Sequence, residues 1–167
     1  NSVGGPLWDW ILWACPKLEA AGYTNVFVKS LAYKGPKQTE RVPAGVEKFP
    51  GNFICDAAFL NGDRPLCDVP DMTLDDGTVF NRLKNLKRWC ELCDHVSYWY
   101  YGGSNPGQFF RRMRTEINEL AEAGVDSVGS CGSGGGLEFD DFTLWIFFRL
   151  LRDPGADLEP DLKRIFE

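Results

Sequence analysis

The chain has 167 residues, enough for one domain with a hydrophobic core, and 44% of them are hydrophobic, as in a globular protein. Its formal net charge of −6 argues against nucleic-acid binding, which needs a basic surface. No apolar run approaches the roughly 18 residues of a membrane-spanning helix, so we predict no transmembrane segment. The sequence contains no repeat and no low-complexity linker, and a single domain over residues 1–167 is the simplest organisation.

Predicted helices and strands alternate along most of the chain. A first helix over about 7–21 has apolar residues at helical spacing, and Gly22 is suited to end it. Strand-like runs follow at 25–33, 52–57, 95–101 and 125–130, with irregular chain between the first two and predicted helices over about 78–92, 106–123 and 139–152. This alternation predicts an α/β fold with one parallel sheet in sequence order and helices on one face.

Parallel sheets of this kind carry their chemistry at the carboxyl ends of the strands. The residues at those ends are Tyr33, Asp56, Trp99, Tyr100 and Tyr101, and we expect several of them to meet at one cavity. Asp56 is the one carboxylate that directly follows a predicted strand, and it is our candidate catalytic or orienting residue, with a turn or capping role as the alternative.

The four aromatic side chains are candidate substrate-binding residues, because an aromatic ring offers an apolar surface with a polar edge or hydroxyl. The alternative is that they fill the interior of the fold, since neighbouring strand residues point to opposite faces. Asp126 lies near the start of its strand, and we predict a structural role for it.

The cysteines and the loops give weaker indications. Cys90 and Cys93 form one CxxC, but a zinc site would need a second pair, and His95 is the one histidine. We favour buried thiols over a disulfide or redox pair and expect no metal and no cofactor. Five aspartates at 63–76 lack the spacing of an EF-hand and indicate a solvated loop, and the glycine-rich run 132–136 lacks the residues of a phosphate-binding loop.

Four β/α units are half of an eight-stranded barrel. The chain begins with a helix, and the helix over 139–152 is apolar on almost all sides, which favours burial on more than one side. We therefore predict half of a TIM-type barrel, with a complete small doubly wound domain as the alternative. Because the chain opens at Asn1 without a methionine or a leader, we expect either a removed signal or a longer parent protein.

Five segments match, in order, the strand and helix ends of one barrel family. They are Leu31–Tyr33, Pro43 with Asn52–Cys55, Asp68 with Trp89, Tyr98–Tyr101 and Leu150–Asp157. In these segments the chain resembles the glycoside-hydrolase-like barrel of domain-of-unknown-function family 4838. Two departures stand out: Tyr100 occupies the position of the family's aspartate, and the last strand ends in Ser130–Ser133 without a carboxylate.

The resemblance implies strands five to eight of a (β/α)8 barrel in an exported parent protein, secreted or periplasmic. Some family members are endo-β-N-acetylglucosaminidases of glycoside hydrolase family 163, which act on N-glycans. The expected partners are therefore an oligosaccharide and the N-terminal half of the same barrel, with the main acid residues upstream of this chain. Two functions stand: a carbohydrate-active hydrolase, or a non-catalytic glycan-binding or scaffold barrel that has lost its acids.

Overall fold

The computed structural model describes residues 5–33, 40–59, 66–100, 106–130 and 140–166. Its strands are β1 (Val28–Tyr33), β2 (Phe53–Ala58), β3 (Met72–Thr73), β4 (Val79–Phe80), β5 (His95–Tyr100) and β6 (Ser127–Ser130). Its helices are α1 (Gly5–Ala20), α2 (Arg82–Leu92), α3 (Pro106–Ala123), α4 (Asp140–Arg152) and α5 (Glu159–Phe166), with one 3-10 turn at Leu66–Asp68. None of the helices in these ranges is both long enough and apolar enough to cross a membrane.

The main sheet confirms the predicted α/β fold. Its four strands pair in the order β1-β2-β5-β6, every neighbouring pair is parallel, and helices flank the sheet. Within the described chain, β1 and β6 are the two edges. The prediction ended β2 at position 57 and treated Asp56 as a strand-end residue, whereas the strand runs to Ala58. Ala57 and Ala58 are buried and continue the pairing, so Asp56 lies inside the strand and not at its end.

Side-chain alternation along the strands divides the sheet into two faces. One face joins the helices in the main core through Ala32, Phe53, Cys55, Ala57, Val96 and Tyr98. The opposite face, called the polar face below, consists of Lys29, Leu31, Tyr33, Ile54, Asp56, Ala58, His95, Ser97, Trp99, Ser127 and Gly129. Among the described residues, no member of the polar face belongs to the core that the helices cover.

Helix α1 is held against the sheet by aromatic packing. The Trp8 ring lies 5.9 Å from the Phe49 ring, 6.3 Å from Phe53 and 5.1 Å from Trp89. All four side chains are almost fully buried, and burying a large side chain contributes about 1.5–3 kcal/mol. Gly22, at a φ of +87°, follows the helix in the left-handed conformation that glycine adopts without strain.

The loop that leads into β2 is fixed to α2 by a buried polar cluster. The Glu40 carboxylate is fully buried and accepts a hydrogen bond from Arg82 Nε at 2.6 Å. The Glu40 carbonyl accepts from Asn85 Nδ2 at 2.7 Å and from Trp89 Nε1 at 2.9 Å, and Asn85 Oδ1 accepts from the Val42 amide at 3.2 Å. In the described part of the connection between β1 and β2, residues 40–52, no helix forms, and this cluster attaches the loop to α2.

Helix α2 is shorter than predicted. Its predicted first turn forms β4, which pairs with β3 as a small antiparallel hairpin, and Asn81 then caps the helix by accepting from the Lys84 amide at 2.8 Å. Asn85 and Trp89 of this helix are buried, and the polar atoms of their side chains bind the Glu40 carbonyl. The short helix α5 was not predicted.

The buried Glu40–Arg82 pair should be necessary for stability. Arg82 is 14% exposed and Glu40 is fully buried, so Arg82→Met removes a cation that lies against a carboxylate in the interior. We expect a loss of about 3 kcal/mol in the free energy of unfolding, measured by urea denaturation. The control is Arg88→Met, which removes the exposed Arg88–Glu91 pair and should cost less than about 1 kcal/mol. Equal losses in the two variants would contradict this expectation.

The polar face and the two edge strands should cause self-association of the isolated chain. Leu31 is 46% exposed in the middle of edge strand β1, and open edges and apolar patches favour association. We expect sedimentation to detect oligomers at high protein concentration, and Leu31→Lys should shift them toward monomer. Val79→Lys, at a position that is 62% exposed on the small hairpin, serves as the control. A clean wild-type monomer at every concentration would refute the expectation.

Candidate functional site

Asp56 is the centre of a polar cluster that links three neighbouring strands. Its Oδ1 accepts a hydrogen bond from the Ser97 hydroxyl at 2.6 Å, and its Oδ2 lies 2.9 Å from Lys29 Nζ. The Asp56 side chain is only 3% exposed, whereas the Lys29 side chain is 51% exposed. Both carboxylate oxygens are therefore engaged, and Lys29 is the accessible side chain of the cluster.

Two of the candidate aromatic residues lie on the same face as Asp56. Tyr33 is the last residue of β1, and Trp99 is the penultimate residue of β5, so both lie nearer the carboxyl end of the sheet than Asp56 does. Both side chains are partly exposed. The Trp99 ring lies 3.8 Å from the position that a Gly129 Cβ would occupy, an ordinary van der Waals distance, so the indole rests close to β6.

The remaining candidates at this end of the sheet cannot be assigned a side-chain role. Tyr100 pairs through its backbone with Ser130, but its side chain is not among the described ones. Tyr101 and the glycine-rich run 132–136 lie outside the described residues, as does Cys131. The structure therefore assigns Tyr33, Asp56 and Trp99 to one face and leaves the predicted roles of Tyr100 and Tyr101 as predictions.

A cavity of about 240 Å³ opens on the polar face, in the amino-terminal half of the sheet. Phe27, Ile54, His95, Ser97 and Ser127 contribute to its lining. The predicted cavity at the carboxyl ends of the strands adjoins residues outside the described ones and stays a prediction. Ser97 lines the cavity and also binds Asp56, so the cavity adjoins the polar cluster on the side of the amino-terminal ends of the strands.

Asp126 lies at the opposite end of the sheet from Tyr33 and Trp99, as its position before β6 predicted. Its Oδ2 accepts a hydrogen bond from the Val96 amide at 3.0 Å and lies 3.6 Å from His95 Nδ1. The His95 ring in turn contacts Phe27 edge-on, with 5.4 Å between the ring centres. These contacts hold the start of β5 against the start of β6, which is a structural role.

The CxxC cysteines are free thiols beside the helix-packed face. Cys93 is buried at the end of α2 and Cys90 is partly buried. Burial, followed by the Asp126 carboxylate, raises the pKa of Cys90 to about 12. Burial, followed by the hydrogen bond with Cys93, raises the pKa of Cys55 well above its ordinary value. Thiols that keep their protons are poor nucleophiles and poor metal ligands, which fits the buried-thiol interpretation.

Lys29 and Ser97 are the polar-face residues that the sequence reasoning missed. Both lie inside predicted strands, whereas the search for functional residues considered strand ends. A signal was nevertheless present, because Lys29, Asp56 and Ser97 each place a polar side chain inside a run of strand residues. A polar residue within a buried strand requires a partner, and three such residues on neighbouring strands can satisfy one another.

In comparisons with known proteins, no family model, no curated protein and no solved structure gave a significant match to the chain.

The protonated core thiols should make stability fall at alkaline pH. A thiol whose pKa is raised in the folded state keeps its proton at a pH where the same thiol in the unfolded chain has lost it. Its contribution to the free energy of unfolding is therefore complete below the ordinary thiol pKa of about 8.5 and is lost as the pH rises toward the folded-state value. Above about pH 9, the free energy of unfolding should fall with rising pH in wild type. We expect this fall to be less steep in Cys55→Ala, by about 1.4 kcal/mol per pH unit.

Urea denaturation across this pH range measures that slope. Leu86→Ala provides the control, because it removes buried apolar volume and keeps every thiol. It should lower the stability at each pH by a similar amount and leave the slope unchanged. An unchanged slope in Cys55→Ala would show that this thiol titrates alike in the folded and unfolded chains.

Proposed function

We propose that the chain forms strands five to eight of a TIM-type (β/α)8 barrel in a carbohydrate-active hydrolase of the glycoside-hydrolase type. Its substrates would be glycans that contain N-acetylhexosamine. The observation that carries this proposal is the polar face, where Tyr33 and Trp99 lie beside the cluster of Lys29, Asp56 and Ser97. The ordered resemblance to the barrel family supports the same function.

The barrel part of the proposal rests on the arrangement of the two faces. In a (β/α)8 barrel, the helices cover the outside of a closed parallel sheet, and the opposite face points into the barrel. The sheet has the required parallel order, and the helix-packed core is confined to one face among the described residues. A second set of four strands would pair with the edges β1 and β6 and enclose the polar face.

The glycan part rests on the chemistry of that face. A sugar ring has one apolar surface and a rim of hydroxyl groups, so it requires an aromatic surface and nearby hydrogen-bonding groups. The Trp99 indole and the Tyr33 ring offer the first, and the polar cluster around Asp56 offers the second. The main acid residues would lie in the other half of the barrel, and the parent protein would be secreted or periplasmic.

A non-catalytic glycan-binding barrel is the second candidate. Glycoside cleavage usually requires two carboxyl groups, separated by about 5–9.5 Å, on either side of the bond. Asp56 is the one carboxylate among the polar-face residues, and both of its oxygens are already engaged. Tyr100 also occupies the position at which the barrel family that this chain resembles has an aspartate. This half would then contribute sugar contacts without an acid.

Binding of a sugar should depend on Trp99. We expect Trp99→Ala to weaken the binding of chitotetraose, an N-acetylglucosamine oligosaccharide, by about tenfold or more, because a stacking surface is lost. Titration calorimetry of the intact protein measures this affinity. The control is Trp13→Ala on α1, where the indole is 59% exposed and contacts Lys17 away from the sheet. The same affinity in wild type and Trp99→Ala would remove Trp99 from the site.

Product analysis separates the two candidate functions. Incubation of the intact protein with an N-glycan and with chitotetraose should release shorter sugars if the parent is a hydrolase. Binding without any cleavage would favour the glycan-binding barrel. If the wild-type protein neither binds nor cleaves these sugars, the proposed function is wrong.

A further inference from the structure

Lys29 is the accessible residue of the polar cluster. Its side chain is 51% exposed, whereas the side chain of Asp56 is 3% exposed and Ser97 as a whole is 6% exposed. On the polar face, the Lys29 side chain is therefore more accessible to a ligand than the Asp56 carboxylate. An ammonium group has three N–H donors, and Asp56 can occupy one of them at the observed 2.9 Å.

Asp56 determines what kind of acceptor this ammonium suits. The carboxylate lies in direct contact with Lys29 Nζ, so it weakens the positive potential that a ligand meets at the ammonium. An anionic ligand would be attracted by Lys29 and repelled by Asp56. An uncharged acceptor, such as a hydroxyl or an amide carbonyl oxygen, takes a hydrogen bond from the ammonium and experiences no such repulsion.

The Ser97 hydroxyl keeps this arrangement in place. It donates to Asp56 Oδ1 at 2.6 Å, which leaves Oδ2 for Lys29 and fixes the plane of the carboxylate. Since Lys29, Asp56 and Ser97 lie on three neighbouring strands, the sheet itself sets the distances between them. The long, flexible lysine side chain is thereby given one preferred position.

We propose that Lys29 is a ligand-contacting residue of the polar face, that it donates a hydrogen bond to an uncharged sugar oxygen, and that Asp56 is a positioning residue that disfavours anionic glycans. This inference rests on the proposed glycan-binding function and adds its substrate class: neutral sugars in preference to sugars that carry a carboxylate.

The test compares two oligosaccharides of equal length, of which one is uncharged and the other is anionic. Chitotetraose is uncharged, and a hyaluronan tetrasaccharide alternates N-acetylglucosamine with glucuronic acid. Titration calorimetry of the intact protein gives a dissociation constant for each. We expect wild type to prefer chitotetraose, Lys29→Met to bind it about tenfold more weakly, and Lys29→Arg to recover part of the loss.

The decisive variant is Asp56→Asn. Asparagine keeps the shape of the side chain and an oxygen that accepts from Ser97, but it removes the charge that compensates Lys29. We expect the ratio of hyaluronan affinity to chitotetraose affinity to rise by about tenfold, which a merely structural role for Asp56 would not produce. Asp94→Asn is the matched control, because it frees Lys48 from a similar pair at 2.7 Å outside the polar face.

The possible results have separate meanings. If wild type binds chitotetraose and folded Lys29→Met binds it equally well, Lys29 does not contact the ligand and this inference is wrong, while the proposed function stands. If the charge preference in Asp56→Asn equals that of wild type, the positioning role of Asp56 is wrong, and this result does not depend on whether Lys29→Met folds. If wild type binds neither oligosaccharide, the proposed function fails and the inference fails with it.

Discussion

The pairing of four consecutive strands in parallel, with side chains that alternate between two faces, is the constraint on which the rest of this structure depends. Once the register is set, Phe53 and Cys55 must point toward the helices, and Ile54 and Asp56 must point away from them. A slip of one residue would bring a carboxylate into the aromatic core and expose a phenylalanine. The hydrophobic core and the polar face are therefore two results of one pairing.

The polar face is not explained by stability alone. Removing the Asp56 carboxylate from water costs several kcal/mol, and the bonds to Ser97 and Lys29 offset that cost without a clear surplus. A set of apolar residues of similar volume would satisfy the same positions in a barrel interior or a sheet face. The Glu40–Arg82 pair differs, because it joins a loop to a helix and gives that connection a fixed position.

The sequence allowed the fold to be predicted more fully than the site. Strand and helix positions followed from apolar periodicity, which is why the parallel order of all four strands was correct. The boundaries failed where a local polar contact decides the structure: Asn81 begins α2 as its cap, and Asn85 is buried because its amide binds the Glu40 carbonyl and the Val42 amide. Periodicity assigns an asparagine to the surface and cannot detect such partners.

The candidate site shows the same limit. Asp56 could be selected from the sequence because it is a carboxylate at a predicted strand end, although the strand continues past it. Its contacts with Lys29 and Ser97 could not be predicted, since they depend on the register between strands that are far apart in the chain. Trp99 could be named from the sequence as an aromatic candidate. The face of the sheet on which it lies follows only from the burial of its neighbour Tyr98, because adjacent strand residues point to opposite faces.

The packing of Trp8 has a consequence for how the protein acquires its structure. This residue precedes all of its aromatic partners in the chain, and Trp89 is made much later than α1 itself. During synthesis, the Trp8 ring therefore gains its partners Phe49 and Phe53 before it gains Trp89 in α2. Contacts between distant parts of a chain form slowly and leave apolar surface exposed in the meantime. The aromatic packing around Trp8 is thus complete only after α2 has been synthesised.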